Sequence, residues 1–231
     1  MKLLLFDVDQ TLIYTGGAGL RALDRACRNI LSIENATQGI SPHGKTDPAI
    51  IREILLARVG NDSAIESRLA SILESYLFYL KDEVLTSERY HVLPGIAEIL
   101  AEMSARADVM LGLATGNVEV GARIKLDRGD LNRYFTFGGF GSDSEDRTTL
   151  VRKAGEAAAI QGGRAVPPED VFVIGDTPRD IDAGRGAGFK TVGVATGHYP
   201  VEDLMDSGAT FAISDFGQGR ENFMRRVFPS E

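Results

Sequence analysis

The run Leu3-Leu4-Leu5-Phe6-Asp7-Val8-Asp9-Gln10-Thr11-Leu12 joins an unbroken apolar segment to two carboxylates one residue apart. Consecutive large apolar residues suit a strand buried on both faces, the way strands of parallel sheets read. Asp7 then falls at the C-terminal end of that strand, and in open α/β sheets ligands bind outside this edge. A loop leaving the strand lets Asp7 and Asp9 face one site with Val8 turned away. Like charges at this spacing are costly unless a cation or a shared proton lies between them. The competing explanation is that Asp9 or Thr11 caps a turn or helix, so the other strand ends must decide.

Working outward, residues 109–114 form a second apolar run leading into Thr115-Gly116-Asn117, and residues 171–174 a third leading into Gly175-Asp176, with Asp180 four residues on. Residues 134–137, 191–195 and 210–213 read as further strands, and helical periods lie between the later runs. This alternation predicts an α/β fold, a Rossmann-like parallel sheet with helices on both faces. Residues 15–90 break the pattern. Glycines at 16, 17 and 19 permit a hinge, and Leu20, Leu23, Cys27, Ile30 and Leu31 follow a helical period. Asp47 reads as an N-cap with Pro48 at the first helical position and Gly60 as the stop. Ser63-Ala64-Ile65-Glu66 has the form of a capping box opening a long helix. The expected organisation is a core of residues 1–14 and 91–231, with an all-helical domain of residues 15–90 inserted.

In a parallel sheet the three polar strand ends share one edge, bringing together Asp7 and Asp9, Thr115 and Asn117, and Asp176 and Asp180. Four carboxylates there repel strongly. Mg²⁺ relieves this, because it binds a few carboxylates and keeps positions for a substrate phosphate. Asp176 is then a metal ligand with Asp180 supporting it. Asp7 is the candidate nucleophile, able to form an aspartyl-phosphate, and Asp9 the candidate general acid and base. Thr115, Gly116 and Asn117 are placed to bind phosphoryl oxygens. A cation must offset the phosphoryl charge, and the candidates are Arg147 at the start of its helix, with Arg152 and Lys153 further along it.

With Asp7-Val8-Asp9-Gln10-Thr11 as first motif, Thr115 as second and Gly175-Asp176-Thr177-Pro178-Arg179-Asp180 as fourth, the chain resembles haloacid dehalogenase superfamily hydrolases over essentially its whole length. The resemblance implies Mg²⁺ held by the carboxylates of Asp7 and Asp176 and the main-chain carbonyl of Asp9, with Asp180 in support. It also implies that the helical insertion is a cap closing over the site, and that the loop at residues 41–47 brings His43 and Lys45 toward substrate. Two positions depart from the family pattern. Gln10 stands where glycine is frequent, and the third motif offers Arg147 where lysine is usual, with Lys153 as the alternative.

The expected activity is Mg²⁺-dependent hydrolysis of a small phosphorylated metabolite, phosphoglycolate being the candidate. The alternatives are a sugar phosphomutase with the same site and a non-catalytic phosphate-binding module. A dehalogenase of this superfamily lacks an acid at the position of Asp9, and a phosphonate hydrolase would use a lysine such as Lys45 for a Schiff base; Asp9 speaks against both. A net charge of -8 over 231 residues argues against nucleic acid or an anionic membrane as partner. The single cysteine, Cys27, makes no intrachain disulfide, and no apolar run reaches the length of a signal peptide or membrane span. These features lead to the expectation of a cytoplasmic protein that is a monomer or weak dimer.

Overall fold

The structure, a computed structural model, describes residues 1–60 and 65–229. In chain order its elements are β1 (Lys2–Phe6), β2 (Ile13–Tyr14), α1 (Ala18–Leu31), α2 (Asp47–Arg58), α3 (Ile65–Thr86), β3 (His91–Val92), α4 (Ile96–Ser104), β4 (Val109–Thr115), α5 (Glu119–Asp127), β5 (Gly138–Phe140), α6 (Arg147–Gly162), β6 (Val171–Gly175), α7 (Pro178–Gly186), β7 (Lys190–Val194), α8 (Val201–Asp206), β8 (Phe211–Ile213) and α9 (Phe216–Val227). Six strands form a parallel sheet in the order β5-β4-β1-β6-β7-β8. The capping box read at Ser63 lies outside the described residues.

The position of β1 inside this sheet explains its composition. Successive side chains of a strand point to opposite faces, so Leu4 and Phe6 pack with Ile99 and Leu100 of α4 and Phe216 and Phe223 of α9. Leu3 and Leu5 pack on the other face with Leu150, Val151 and Ala154 of α6. With both faces covered, every β1 residue after Lys2 is apolar until the chain reaches the sheet edge at Asp7.

Helices α1, α2 and α3 surround a separate apolar cluster that includes Leu23, Cys27, Ile51, Leu55, Ile72 and Leu80. The chain enters and leaves this helical layer through an antiparallel ribbon of β2 and β3, with Ile13 opposite Val92 and Tyr14 opposite His91. The layer is thus rooted a few residues beyond the Asp7–Asp9 loop. No helix among the described residues is long and apolar enough to cross a membrane.

Two local expectations are corrected. Residues 134–137 are not a strand; a 3-10 turn at Asn132–Tyr134 precedes β5 at Gly138–Phe140. The glycine pair forms the strand because α6 passes so close that a Cβ on Gly139 would lie 1.8 Å from the Leu150 carbonyl oxygen. Asp47 is not the N-cap of α2. Thr46 is, its hydroxyl accepting the Ala49 N–H at 3.3 Å, while the Asp47 carboxylate reaches out of its helix to the sheet domain.

Candidate active site

The C-terminal ends of β4, β1 and β6 lie side by side, so one edge carries Thr115, Asp7 and Asp176. Carboxylate oxygens of Asp7, Asp176 and Asp180 come within 4.8 Å of one another, and all three residues are buried. Backbone and side-chain bonds fix them there. The Asp7 N–H donates to the Ile174 carbonyl at 2.9 Å, and the Thr11 hydroxyl donates to Asp176 Oδ1 at 3.4 Å. Asp180 closes a capping box at the start of α7, its Oδ2 accepting the Thr177 N–H at 3.0 Å and the Thr177 hydroxyl at 2.7 Å. Gly197 presses on the group from the loop after β7, where a Cβ would lie 1.9 Å from Asp176 Oδ2.

Crowding this many carboxylates out of water has an electrostatic cost. Burial, followed by repulsion from Asp180, pushes Asp7 up to about 7, with the nearby Arg147 guanidinium opposing the rise. Burial, then Asp180 and Asp7, push Asp176 well above the usual carboxylate range. A buried set of oxygen donors that cannot all ionise cheaply is the donor chemistry a hard divalent cation satisfies. The residues present therefore fit Mg²⁺.

Arg147 is the first residue of α6, and its buried guanidinium enters the same group. Its Nη2 donates to Asp180 Oδ1 and lies 3.8 Å from Asp7 Oδ1. Its Nε is buried without a hydrogen-bond partner. A buried donor left unsatisfied is costly, and an incoming oxyanion would satisfy it. Lys153 is elsewhere, exposed and bonded to the Asp143 carbonyl at 3.2 Å. Arg152 bonds the Gly186 carbonyl, away from the carboxylates.

Asp9 is set apart from this cluster. Its Oδ2 accepts from Asn117 Nδ2 at 2.9 Å and from Lys125 Nζ at 2.6 Å. Asn117 also donates to Thr115 Oγ1 at 2.9 Å, and the Thr115 side chain favours the charged form of Asp7. Lys125 was not expected here. It sits on the buried stripe of α5 with Gly121, Ala122 and Leu126, and a lysine on an apolar helix stripe was the available signal. Gln10, the residue after Asp9, has φ 63°, a left-handed conformation.

The helical layer completes the enclosure. The Asp47 N–H donates to the Gly116 carbonyl at 2.8 Å, and the Val118 N–H donates to Asp47 Oδ2 at 2.9 Å. Burial raises Asp47 to about 6 against the lowering influence of Lys125. The His43 ring stacks on His198 at 5.4 Å and 13°, and Lys45 pairs with Glu53. A cavity of about 300 Å³ remains, with Asp7, Asp9, His43, Lys45, Gly116 and Arg147 among its lining residues. That volume is at the small end of ligand pockets, which start near about 300 Å³.

Residues 4–194 match the family model described as haloacid dehalogenase-like hydrolase. A phosphoglycolate phosphatase of Pseudomonas fluorescens is 26% identical over 222 residues, covering 93% of this chain and 76% of that one. Among solved structures, a hydrolase from Pseudomonas syringae superposes with a TM-score of 0.72 at 19% identity, covering 96% of this chain and 98% of that chain. CbbY from Rhodobacter sphaeroides, in complex with phosphate, gives a TM-score of 0.68 at 20% identity over 95% and 96% of the two chains.

Proposed function

The chain belongs to the haloacid dehalogenase-like hydrolases, and from that premise we propose that it is a phosphatase acting on a small phosphate monoester through an aspartyl-phosphate on Asp7. The observation that carries this reading is the division of the two neighbouring carboxylates. Asp7 lies in the buried group with Asp176, Asp180 and Arg147, whereas Asp9 is held apart by Lys125 and Asn117. A nucleophile and an acid/base need separate environments of this kind.

Each residue then has a task. Asp7 attacks phosphorus and displaces the alcohol, while Asp9 gives the leaving oxygen a proton and later takes one from the attacking water. Thr115 and the amides of Gly116 and Asn117 receive the transferring oxygens, and the Arg147 guanidinium faces the charge they carry. Mg²⁺ would be held by Asp7, the Asp9 carbonyl and Asp176, with Asp180 in support; it supplies neutralisation of the carboxylates and of the phosphoryl oxygens. The layer of residues 15–90 acts as a cap that excludes water. The cavity size, together with His43 and Lys45 on its wall, suits a small anionic ester. Phosphoglycolate is the first candidate, supported by the name of the Pseudomonas fluorescens relative.

The test is Mg²⁺-dependent phosphate release from 4-nitrophenyl phosphate and from a panel of small phosphorylated acids and sugars. Asp7→Asn is expected to lower kcat by about 10³-fold or more, and Asp9→Asn by about 10²-fold to 10⁴-fold on alkyl esters. Turnover that survives Asp7→Asn rules out the aspartyl-phosphate. Conversion of a sugar 1-phosphate into its 6-phosphate without phosphate release would establish a mutase instead.

A further inference from the structure

Lys125 is the buried cation that the proposed chemistry does not use. It comes from α5 of the sheet domain, yet it is roofed by all three helices of the inserted layer. A Cβ on Gly19 of α1 would lie 3.7 Å from its Nζ. Tyr76 of α3 and Asp47 of α2 line the same cavity as Lys125, and the Asp47 carboxylate attracts its ammonium. From the sheet side its Nζ donates to Asp9 Oδ2 at 2.6 Å and to Asn117 Oδ1 at 2.5 Å.

An ammonium has three N–H donors and no acceptor. Asp9 and Asn117 take two of them at the sheet edge, and the side chain itself is buried beneath the helical layer. Its surroundings divide by origin: its hydrogen-bond partners Asp9 and Asn117 belong to the sheet edge, and its neighbours Tyr76 and Asp47 to the helical layer. We propose that Lys125 is a positioning residue that latches the helical layer onto the sheet edge and, through the same ammonium, aims Asp9 at the leaving group. This rests on the phosphatase reading above for the role of Asp9.

The physical link is solvent. With the layer seated, the ammonium end of the Lys125–Asp9 bond is out of water, its side chain 6% exposed, and the bond is charge-assisted, the strong kind. With the layer lifted, water reaches the ammonium and the pair becomes an exposed one, worth about 0–1 kcal/mol. Asp9 is therefore gripped firmly only while the layer is docked. Both of its donors engage Oδ2, and among the described residues no hydrogen bond is seen to Oδ1. Oδ1 is left as the oxygen that exchanges a proton with the ester.

Two readouts test this on the full chain, using Lys125→Met, Lys125→Arg and Tyr76→Phe. The first is amide hydrogen exchange at Asp47 and Val118, whose N–H groups bridge the layer and the sheet domain. Lys125→Met and Tyr76→Phe are expected to speed exchange there by about tenfold or more while β1 and β6 amides keep their protection. Unchanged exchange at both positions overturns the latch. The second readout compares an alkyl phosphate with 4-nitrophenyl phosphate, whose leaving group needs little protonation. Lys125→Met is expected to lower kcat on the alkyl ester by about 10²-fold and on the nitrophenyl ester by only several-fold. Tyr76→Phe should show the same selectivity more weakly, although it does not touch Asp9, and Lys125→Arg should recover part of the loss. Equal losses on both esters overturn the aiming role. If Lys125→Met does not fold, Tyr76→Phe and Lys125→Arg, which keep a buried positive charge, decide by the same criteria. A wild-type protein that releases phosphate from neither ester refutes the phosphatase reading and with it the aiming of Asp9, whatever exchange shows.

Discussion

Arg147 and Lys153 lie on one helix, six positions apart, and only the first enters the carboxylate group. The guanidinium is held by Asp180 and Asp7 while its Nε stays unpartnered, so it is oriented before any ligand arrives. Preorganised donors of this kind are worth about 10²-fold to 10³-fold in rate. Arg147→Ala is expected to lower kcat by that amount in a phosphate-release assay, and Lys153→Ala to stay within about twofold of wild type, as surface substitutions do. Equal losses would move the cation's role away from Arg147. Gln10 offers a second test at this scale. Its φ of 63° places a Cβ in left-handed backbone, which costs an L residue roughly 1–2 kcal/mol, against the roughly 0.5–1 kcal/mol of extra chain entropy that glycine loses on folding. Gln10→Gly should therefore raise stability by about 0.5–1 kcal/mol in chemical denaturation. Any preference for glycine at this point has a backbone reason, not a chemical one.

At the scale of elements, what could be read from the chain depended on whether one element's own residues recorded its surroundings. Strands β1, β4 and β6 are covered on both faces and read as apolar runs with polar ends, so the sheet edge and Asp7, Thr115 and Asp176 followed directly. β5 did not, because Gly138 and Gly139 are strand residues only on account of α6. A Cβ on Gly139 would lie 1.8 Å from the Leu150 carbonyl and 3.1 Å from the Ala154 nitrogen, a constraint from a neighbour that no local propensity carries. Asp47 was assigned a local cap because its real partner, the Val118 N–H, is 71 residues away. Lys125 had a local trace, its place beside Ala122 and Leu126 on the inward stripe of α5, but its partner Asp9 is 116 residues away. The β5–α6 contact makes a further prediction. Gly139→Ala must push α6 off the sheet and should cost about 1–3 kcal/mol, the usual range for overpacking. Because Arg147 opens α6, the same variant should also lose activity beyond what its fraction unfolded explains, which a paired unfolding and kinetic measurement separates.

For the whole molecule, the decisive balance is between proton and cation at the sheet edge. In the metal-free fold Asp7 is pushed up to about 7 and Asp47 to about 6, whereas in the unfolded chain both titrate near the ordinary aspartate value of about 3.9. Between about pH 4 and pH 7 the folded chain thus holds protons the unfolded chain has released, so this stabilisation is complete at the acid end and is lost as pH rises through those native values. The net charge of -8 near neutrality adds self-repulsion in the same direction. Carboxylates lowered by local bonds, such as Asp108 by Arg106, Asp146 by the Thr149 hydroxyl and Asp170 by Lys2, act oppositely, but they titrate below this window. With a chelator present, the melting temperature is therefore expected to fall between about pH 5 and about pH 8. In the proposed mechanism Mg²⁺ would bind the deprotonated form of Asp7, displacing a proton at the acid end and none at the alkaline end. Its stabilising shift should be larger near pH 8 than near pH 5 by several degrees. Asp7→Asn should flatten the chelator profile and remove most of the Mg²⁺ shift. A melting temperature that rises with pH in chelator, or an Mg²⁺ shift equal at both ends, would contradict the account in which one buried carboxylate exchanges its proton for a metal before it can attack phosphorus.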